Sequence, residues 1–326
     1  MMRRSEAPAP EVVLATFNGA AHIDALLASL AAQTVPLAVL RVCDDGSWDD
    51  TRAVIARWQQ VLPLRLLDAP PGAGAGGNFG RLLDASVGDY VMLADQDDVW
   101  DSDKIARSMA EMQMLEARWG VATPLLVHGD LRLVDAQLRP IAGSFMDHQH
   151  LDPQAISLDR LLLQNVVTGC TVLVNRPLLD LALPIPPEAP MHDWWLAVVA
   201  ATFGRIGYVP QATVAYRQHD RNAIGAKGRS KGYLKSKLQK GITPHGAASL
   251  LWRYVQLARV FKARWGDSIP PPAQRKLLDW LSELPAMSRL ARVHRGLSVG
   301  ARKHGLLSSL FLYWAVAISN FSGYGE

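Results

Sequence analysis

Three acidic residues are crowded together where an apolar segment ends. In the stretch "DYVMLADQDDVW" the run Tyr90–Ala94 leads directly into Asp95, Asp97 and Asp98. Packing does not favour this pattern, because neighbouring carboxylates repel one another and lose hydration when they are buried. On the end of an extended strand, Asp95 and Asp97 point the same way, about 6.6 Å apart along the backbone. A divalent cation between them would relieve the repulsion and could bridge to a phosphate.

A structural explanation stays open beside the chemical one. The same acids are stable on a solvated turn if Asp101, in "WDSDK", caps the helix that follows. The spacing of the carboxylates alone does not separate the two hypotheses.

The elements that must position these acids alternate between strand and helix. Strands are predicted at "EVVLATF", "LAVLRVC", "LRLLD", "YVMLAD" and "PLLVHGDL", and apolar residues recur at the helical period between them. The predicted helical faces are Ile23, Leu26, Leu27 and Leu30, then Val54, Ile55, Trp58 and Val61, then a segment near Asn78–Ser86. Later segments predict a turn and strand at "QNVVTGCTVLVNR", a helix at "MHDWWLAVVAATFG", a strand at "ATVAYRQH" and a helix over Ala248–Trp265.

This alternation predicts an α/β fold with a mainly parallel sheet that is covered on both faces. In such sheets ligands bind outside the carboxyl ends of the strands. The polar stretches "ATFN", "DDGS" and "DQDD" all lie at those ends. The sequence therefore predicts one polar ligand site that these three stretches share.

A glycine-rich segment imitates a dinucleotide-binding motif. In "GAGAGG" the residues Gly72, Gly74 and Gly77 have the spacing G-x-G-x-x-G. That motif should follow the first strand and open its helix, whereas this one follows the third strand. We therefore interpret the segment as a flexible loop.

Composition limits the class of protein. With 326 residues, of which 49% are hydrophobic, the chain can bury a sizeable core and a smaller unit. Cys43 and Cys170 lie in apolar or small-residue surroundings, which indicates a reducing compartment rather than a disulfide scaffold. Cys170 is interpreted as a small buried residue. Residues 1–10 have charges but no apolar stretch, so we expect a flexible tail and no signal peptide.

The two ends of the chain differ in charge. Residues 1–225 contain 17 Lys and Arg against 26 Asp and Glu, a balance of −9, and residues 226–326 contain 17 against 4, a balance of +13. The segment Lys227–Lys240 has six basic residues, and the apolar segment Leu306–Ile318 has no charge. Thirteen residues are fewer than the roughly 20 that span a bilayer. We expect a buried or interfacial helix, and no nucleic-acid binding, because no recognisable module is present.

Six motifs occur in the order found in a known family. "ATFNGAAHIDALLASLAAQT", "VCDDGSWDDT", "GDYVMLADQDDVW", "VTGCTVLVNR", "HDWWLAVVA" and "YRQHDRN" resemble inverting family 2 glycosyltransferases with the GT-A fold, and more narrowly their bacterial rhamnosyltransferase-like branch. The resemblance covers roughly residues 10–225. It implies a GT-A catalytic domain over residues 11–225, followed by a basic, helical C-terminal region over residues 226–326.

The resemblance implies roles for residues on the donor side. Thr16 and Phe17 would lie at the nucleoside, and Asp45 would bind the base. Asp95 would lie near the ribose or the metal. Asp97 would be the principal ligand of Mn²⁺ or Mg²⁺, and His219, in "YRQH", would join it.

On the acceptor side, Asp193 in "HDWW" stands where the family has its catalytic base, and His192 replaces a common Glu. The resemblance also implies that Gly169 would border the acceptor, with His192 and Trp194 beside it. Each assignment has a structural alternative: Asp45 and Asp193 as helix caps, His219 as a loop histidine, Trp194 as core, and Gly169 as a turn required by backbone geometry.

The implied activity is transfer of a sugar, with dTDP-L-rhamnose as the donor that the branch indicates, to a glycan or polyprenyl-diphosphate-linked acceptor in surface polysaccharide synthesis. The expected location is the cytoplasm, peripherally on an anionic membrane surface. A non-catalytic polysaccharide- or lipid-binding scaffold and a sugar nucleotidyltransferase remain the alternatives. The second is disfavoured because "ATFNGAAH" has no Lys or Arg.

Overall fold

The computed structural model describes residues 9–219, 243–269 and 272–324. The strands are β1 (Glu11–Thr16), β2 (Val39–Asp44), β3 (Leu64–Leu66), β4 (Tyr90–Asp95), β5 (Val99–Trp100), β6 (Leu125–Gly129), β7 (Arg132–Val134), β8 (Pro140–Ala142), β9 (Leu173–Asn175), β10 (Arg205–Val209) and β11 (Val214–Arg217).

The helices that precede the last strand are α1 (Ile23–Ala31), α2 (Thr51–Trp58), α3 (Gly74–Asp84), α4 (Lys104–Trp119), α5 (Phe145–Gln149), α6 (Leu158–Leu161), α7 (Arg176–Ala182) and α8 (His192–Phe203). They are followed by α9 (Pro244–Trp265), α10 (Pro272–Glu283), α11 (Arg289–Ser298) and α12 (Leu306–Ile318). None of these described helices combines the length and the apolar character that a membrane crossing requires. The basic segment Lys227–Lys240 lies outside the described residues.

The predicted mainly parallel sheet is confirmed. In the described part of the chain, seven strands form one sheet in the order β10-β6-β9-β4-β1-β2-β3. β1 runs parallel to both β2 and β4, whereas β9 runs antiparallel to β4 and β6. Because β1, β2 and β4 are parallel neighbours, the segments that follow them leave the sheet at the same edge.

A second, smaller sheet was not predicted. It has the order β5-β11-β7-β8, and its strands are too short to show a periodic pattern in the sequence. The segment Asp95–Asp98, called the acidic turn below, connects β4 to β5. β5 pairs antiparallel with β11. This pairing brings the segment after β11 back to the acidic turn.

Apolar side chains cover both faces of the large sheet. Along β1, Val12 and Leu14 join a core with α1, α2 and α4, while Val13 joins the core on the other face. The second core also contains side chains of α8 and of α9 to α12. The C-terminal helices therefore complete the hydrophobic core on one face of the large sheet.

Aromatic residues make the contact between the C-terminal helices and α8. Trp195 stacks on Trp265 with ring centroids 5.3 Å apart, and Trp194 meets Tyr254 edge-on at 5.8 Å. Both tryptophans also donate their indole N–H to backbone carbonyls, Trp194 to that of Leu161 and Trp195 to that of Ala182. Trp195 is fully buried, so these contacts are an integral part of the core.

Three predicted details were wrong. α3 begins at Gly74, within the segment interpreted as a flexible loop. α2 ends at Trp58, which leaves Val61 64% exposed beyond the helix. Asp101 does not cap α4, since its carboxylate forms two hydrogen bonds, of 2.6 and 2.7 Å, with the guanidinium group of Arg132.

Candidate active site

The acidic turn after β4 has one buried and two partly exposed carboxylates. Asp98 is fully buried, while Asp95 and Asp97 are intermediate in exposure. The backbone N–H of Asp98 donates to the carbonyl of Asp95 at 3.3 Å, which closes the turn. The tight turn directs Asp95 and Asp97 to the edge of the sheet and Asp98 into the interior.

The turn is tied to the segment after β11. Oδ2 of Asp97 lies 2.9 Å from Nε2 of His219, as expected if the two residues share a site. Arg217, which is buried, donates from Nε to the carbonyl of Asp97 at 2.8 Å and from its backbone N–H to Asp98 at 3.3 Å. His22 lies beside His219, with ring centroids 4.9 Å apart.

The electrostatic environment of Asp95 is unfavourable for its charged form. Burial, followed by the charges of Asp97 and Asp193, raises the pKa of the Asp95 carboxyl to about 7. Asp193, which was predicted on the acceptor side, therefore lies close enough to Asp95, on the donor side, to raise its pKa. A positive charge placed among these groups would reverse the shift.

Behind the turn lies a buried polar cluster. Ligand-type atoms of Asp95, Asp98 and Cys170 all lie within 4.8 Å of one another. Burial raises the pKa of the Cys170 thiol well above its ordinary value, so Cys170 is a neutral buried residue, as predicted. Burial lowers the pKa of Lys104 to about 7, and its Nζ lies 3.5 Å from the centre of the Trp100 ring.

The segment after β1 is clamped to the acidic turn. Gln96 accepts a hydrogen bond from the backbone N–H of Phe17 at 3.0 Å and donates to its carbonyl at 2.9 Å. The Phe17 ring is 46% exposed and meets Trp48, which is 80% exposed, at a centroid distance of 5.4 Å. Thr16 is buried, and its hydroxyl donates to Asp44 at 2.9 Å.

Asp45 holds the glycine-rich segment. Its carboxylate accepts hydrogen bonds from the backbone N–H groups of Gly72, Ala73 and Gly74 at 2.8, 2.9 and 2.8 Å. It therefore caps the beginning of α3, and not the helix after Trp48 that was considered as a structural alternative. These bonds give Asp45 a structural role in this conformation.

Asp193 lies in the first turn of α8 and faces a 3-10 turn at Gly169–Thr171. A Cβ atom added to Gly169 would lie 3.6 Å from Oδ2 of Asp193 and 3.2 Å from Nε2 of His192. Burial raises the pKa of Asp193 to about 6, although backbone hydrogen bonds from Trp194 and Gly169 oppose the shift. A carboxylate with this pKa is a competent proton acceptor near neutral pH.

His192 and Trp194 lie deeper than Asp193. The His192 ring is buried and stacks on Phe79 with centroids 4.0 Å apart. Burial lowers the pKa of His192 to about 3, so the imidazole is neutral at physiological pH. The Trp194 ring is only 6% exposed, so the structure places it in the core rather than on an open surface.

The donor set at the acidic turn fits a divalent cation. Asp95 and Asp97 supply carboxylate oxygens, which Mg²⁺ and Mn²⁺ prefer, and His219 supplies an imidazole nitrogen. Oδ2 of Asp98 is buried and has no hydrogen-bond partner in the described part of the chain. The repulsion within this set is what a bound cation would remove.

Sequence reasoning missed several residues that shape this site. Gln96, Trp48 and Arg217 had no assigned role, although Arg217 lies in the quoted motif "YRQH" and Gln96 in "DQDD". Their importance depends on contacts between distant segments, such as the 120 residues that separate Arg217 from Asp97. The exposure of Trp48 beside the predicted strand ends is not visible in the sequence.

The fold is that of the GT-A glycosyltransferases. The described structure resembles the crystal structure of Staphylococcus aureus TarS residues 1–349 in complex with UDP-GlcNAc, with a TM-score of 0.56 and 16% identity. The similarity covers 95% of this chain and 90% of that chain. The predicted fold class is therefore confirmed, including the helical C-terminal region.

Residues 11–123 match the family model described as glycosyl transferase family 2. This match confirms the resemblance to family 2 glycosyltransferases that the motifs indicated.

Among curated relatives, the dTDP-rhamnosyl transferase RfbG of Shigella flexneri is 27% identical over 65% of this chain and 74% of its own length. The UDP-Glc:alpha-D-GlcNAc-diphosphoundecaprenol beta-1,3-glucosyltransferase WfgD of Escherichia coli is 26% identical over 52% of this chain and 61% of its own length. The chain spans 58% of the length of other relatives that it matches, which are uncharacterized mycobacterial proteins.

Proposed function

We propose that this protein is an inverting glycosyltransferase that moves a sugar from a nucleotide-sugar donor to a glycan or lipid-linked saccharide. The proposal depends on one observation: Asp97 of the acidic turn meets His219 at 2.9 Å, and Asp95 of the same turn lies near enough to the candidate base, Asp193, for the pKa of Asp95 to be raised. Transfer with inversion requires both groups, one at the leaving diphosphate and one at the attacking hydroxyl.

In the proposed reaction, the acceptor hydroxyl attacks the anomeric carbon as the bond from that carbon to the diphosphate oxygen breaks. Asp193 accepts the hydroxyl proton, and the nucleoside diphosphate leaves. A positioned general base of this kind typically contributes 10²–10⁴-fold to the rate. A cation held by Asp97, His219 and Asp95, either Mn²⁺ or Mg²⁺, would stabilise the developing charge on the leaving group.

The nucleoside would lie against the segment after β1. The exposed rings of Phe17 and Trp48 offer an apolar face there, and Thr16 supports the segment through Asp44. Asp45 reaches the base in this proposal only after the glycine-rich segment releases its carboxylate, because three backbone N–H groups hold it. Asp95 completes the donor side near the ribose.

The names of the relatives support particular substrates. RfbG is named as a dTDP-rhamnosyl transferase and WfgD as acting on a saccharide linked to diphosphoundecaprenol. We therefore propose dTDP-L-rhamnose as the first donor to test and a polyprenyl-diphosphate-linked saccharide as the acceptor class, in surface polysaccharide synthesis. Gly169 and His192 would border the acceptor, and Trp194 would support them from the core.

A panel of nucleotide sugars tests the proposal. The purified protein is mixed with Mn²⁺ and dTDP-L-rhamnose, UDP-glucose, UDP-GlcNAc or GDP-mannose, and thermal stability and release of nucleoside diphosphate are measured. We expect one donor to raise the melting temperature and to be hydrolysed slowly, with both effects lost on chelation. A scaffold that binds without catalysis would show no release. A nucleotidyltransferase would instead react a nucleoside triphosphate with a sugar phosphate, and it would release pyrophosphate from the triphosphate.

We also propose that the C-terminal region attaches the enzyme peripherally to an anionic membrane on its cytoplasmic face. Leu306, Leu307 and Leu310 of α12 are 76%, 78% and 57% exposed. They form an uncharged apolar surface in a region of strongly positive charge. Exposed leucines beside basic side chains are typical of interfacial helices.

Flotation with vesicles tests the attachment. Binding to vesicles that contain phosphatidylglycerol should exceed binding to neutral phosphatidylcholine vesicles, and the Leu307→Glu/Leu310→Glu variant should lose it. A matched control, Val87→Glu/Val121→Glu, changes two residues that are 78% and 69% exposed elsewhere in the chain. Equal and negligible binding to both vesicle types would reject the attachment.

A further inference from the structure

A groove of about 830 Å³ separates the segment before α6 from the segment before α12. It lies outside the acidic turn and outside the Asp193 site. Among the residues that line it are Asp152, Arg160, Arg302, Lys303, His304 and Leu306. The groove therefore has basic, polar and apolar parts in one volume.

The basic side chains are not neutralised locally. Among the described residues that line the groove, Asp152 is the one acid. Within the described part of the chain, Arg160 and Arg302 have no hydrogen-bond or ion-pair partner for their guanidinium groups. Burial and then the charge of Arg160 lower the pKa of His304. The groove thus has a positive potential suited to an anion.

Lys303 is held in place rather than free. Its Nζ donates to the hydroxyl of Tyr254 at 2.7 Å, and the backbone N–H of His304 donates to Gln164 at 3.2 Å. These bonds fix the segment before α12 against α9 and the segment after α6. A fixed wall that carries guanidinium groups binds phosphate oxygens at a lower entropic cost than mobile surface residues do.

The apolar part of the groove adjoins the exposed leucines of α12. Leu306 lines the groove, and Leu307 and Leu310 continue from it along the same helix. A ligand with an anionic group in the groove and a hydrocarbon chain along α12 would satisfy both parts. A phosphorylated lipid has both an anionic group and a hydrocarbon chain, whereas a soluble sugar phosphate has only the anionic group. The groove and α12 together therefore favour the lipid.

The groove is also connected to the candidate base through one side chain. Trp194, the neighbour of Asp193, donates to the carbonyl of Leu161 at 2.6 Å and packs edge-on against Tyr254. Leu161 follows Arg160, and Tyr254 accepts the hydrogen bond of Lys303. A saccharide that extends from Asp193 along this chain of contacts would place its reducing-end substituent in the groove.

We propose that this groove binds the diphosphate of a lipid-diphosphate-linked acceptor, with Arg160 and Arg302 as its ligands and α12 beside the lipid. The proposal depends on the glycosyltransferase function, because it assigns the acceptor of that same site. Arg160 and Arg302 are positioning residues here, since the groove is separate from the reacting atoms.

The test compares vesicle binding by the full-length protein in metal-free buffer. The probes are phosphatidylcholine vesicles that contain a polyprenyl diphosphate and vesicles with the same charge supplied as phosphatidylglycerol. We expect at least tenfold tighter binding to the first, and loss of this preference in the Arg160→Gln/Arg302→Gln variant. The matched control is Arg253→Gln/Arg289→Gln, which removes two exposed charges of the C-terminal region outside the groove.

Three results would overturn the proposal. The first is an equal affinity of the unmodified protein for both vesicles, and the second is an equal loss of preference in the control variant. The third is an affinity for inorganic pyrophosphate, measured by calorimetry, that equals the affinity for the polyprenyl diphosphate. This result would assign the groove to a soluble anion. Vesicle binding does not require turnover, so failure of sugar transfer with every donor would reject the proposed function independently of this result.

Discussion

The carboxylate of Asp97 lies 2.9 Å from Nε2 of His219 although 122 residues separate them. Two strand pairings explain the contact. β4 holds the acidic turn in the large sheet, and β5, immediately after the turn, pairs with β11, which leads to His219. The two predicted metal ligands thus meet because two sheets are joined through one short turn.

Replacement of Asp97 should remove most of the transfer activity. We expect Asp97→Asn to lower kcat by at least about 100-fold, because Lewis-acid stabilisation of a leaving group is worth several kcal/mol. The residual rate should no longer depend on the Mn²⁺ concentration. Steady-state assays over a range of Mn²⁺ concentrations measure this dependence. Asp89→Asn is the control, since Asp89 is an exposed carboxylate just before the same strand. A variant that keeps a normal metal response would remove Asp97 from the metal site.

The pH profile should report Asp193. Its pKa is raised to about 6 by burial, and only the carboxylate form accepts a proton. We therefore expect kcat to fall about tenfold for each pH unit below this value, provided that the chemical step limits the rate. Asp193→Asn should reduce kcat by roughly 10²–10⁴-fold and leave donor affinity nearly unchanged. A near-normal rate in this variant would show that another group is the base.

The same replacement should make the protein more stable at high pH. A carboxyl whose folded pKa is raised favours folding fully below its unfolded pKa of 3.8, and this contribution is lost as pH rises through about 6. At pH 8 the charged Asp193 therefore costs at most about 3 kcal/mol. Thermal unfolding of Asp193→Asn should show a higher Tm than the unmodified protein at pH 8 and little difference at pH 3. An equal difference at both pH values would contradict this account.

A methyl group at position 169 should disturb the candidate base without unfolding the protein. In Gly169→Ala the added Cβ would lie 3.2 Å from Nε2 of His192 and 3.6 Å from Oδ2 of Asp193. We expect kcat to drop roughly 10–100-fold, because small displacements of reacting groups are costly. Gly143→Ala is the matched control, since no atom of the described residues lies within 4 Å of its added Cβ. Equal activities of the two variants would place Gly169 outside the site.

Removal of the Asp45 carboxylate should loosen the start of α3. Asp45→Ala leaves three backbone N–H groups of residues 72–74 without their acceptor. The free energy of unfolding should fall by about 1–2 kcal/mol, as for the loss of a helix cap. Hydrogen exchange should become faster at residues 72–74. Asp50→Ala serves as the comparison, because Asp50 precedes α2 and its side chain makes no capping bond within the described part of the chain. This variant should leave both measurements unchanged.

The large sheet and its ligand edge were predictable because they depend on local patterns. The apolar runs of β1, β2 and β4 and the helical spacing of Ile23, Leu26, Leu27 and Leu30 are visible in the sequence, and all four of these side chains are buried. Parallel strands then place "ATFN", "DDGS" and "DQDD" at one edge. The contact between Thr16 and Asp44 and that between Phe17 and Gln96 confirm this expectation.

The missed features depend on long-range contacts. Glycine lowers helix propensity, so the segment from Gly74 did not predict a helix. The carboxylate of Asp45, 29 residues earlier, stabilises its first turn. The second sheet consists of strands of two to four residues, which have no distinct period. The burial of Arg217 between Asp97 and Asp98 follows only from the pairing of β5 with β11.

The shared packing of Trp195 and Trp265 has a consequence for protein engineering. A fragment that ends at residue 225 would expose the indole of Trp195 and the apolar surface under α9 to bulk water. Such a fragment should aggregate or require a surrogate cover. An exchange of C-terminal regions between relatives would be one way to alter acceptor choice. Such an exchange should therefore succeed only when the inner surface of α9 is transferred together with the residues of α8 that pack against it.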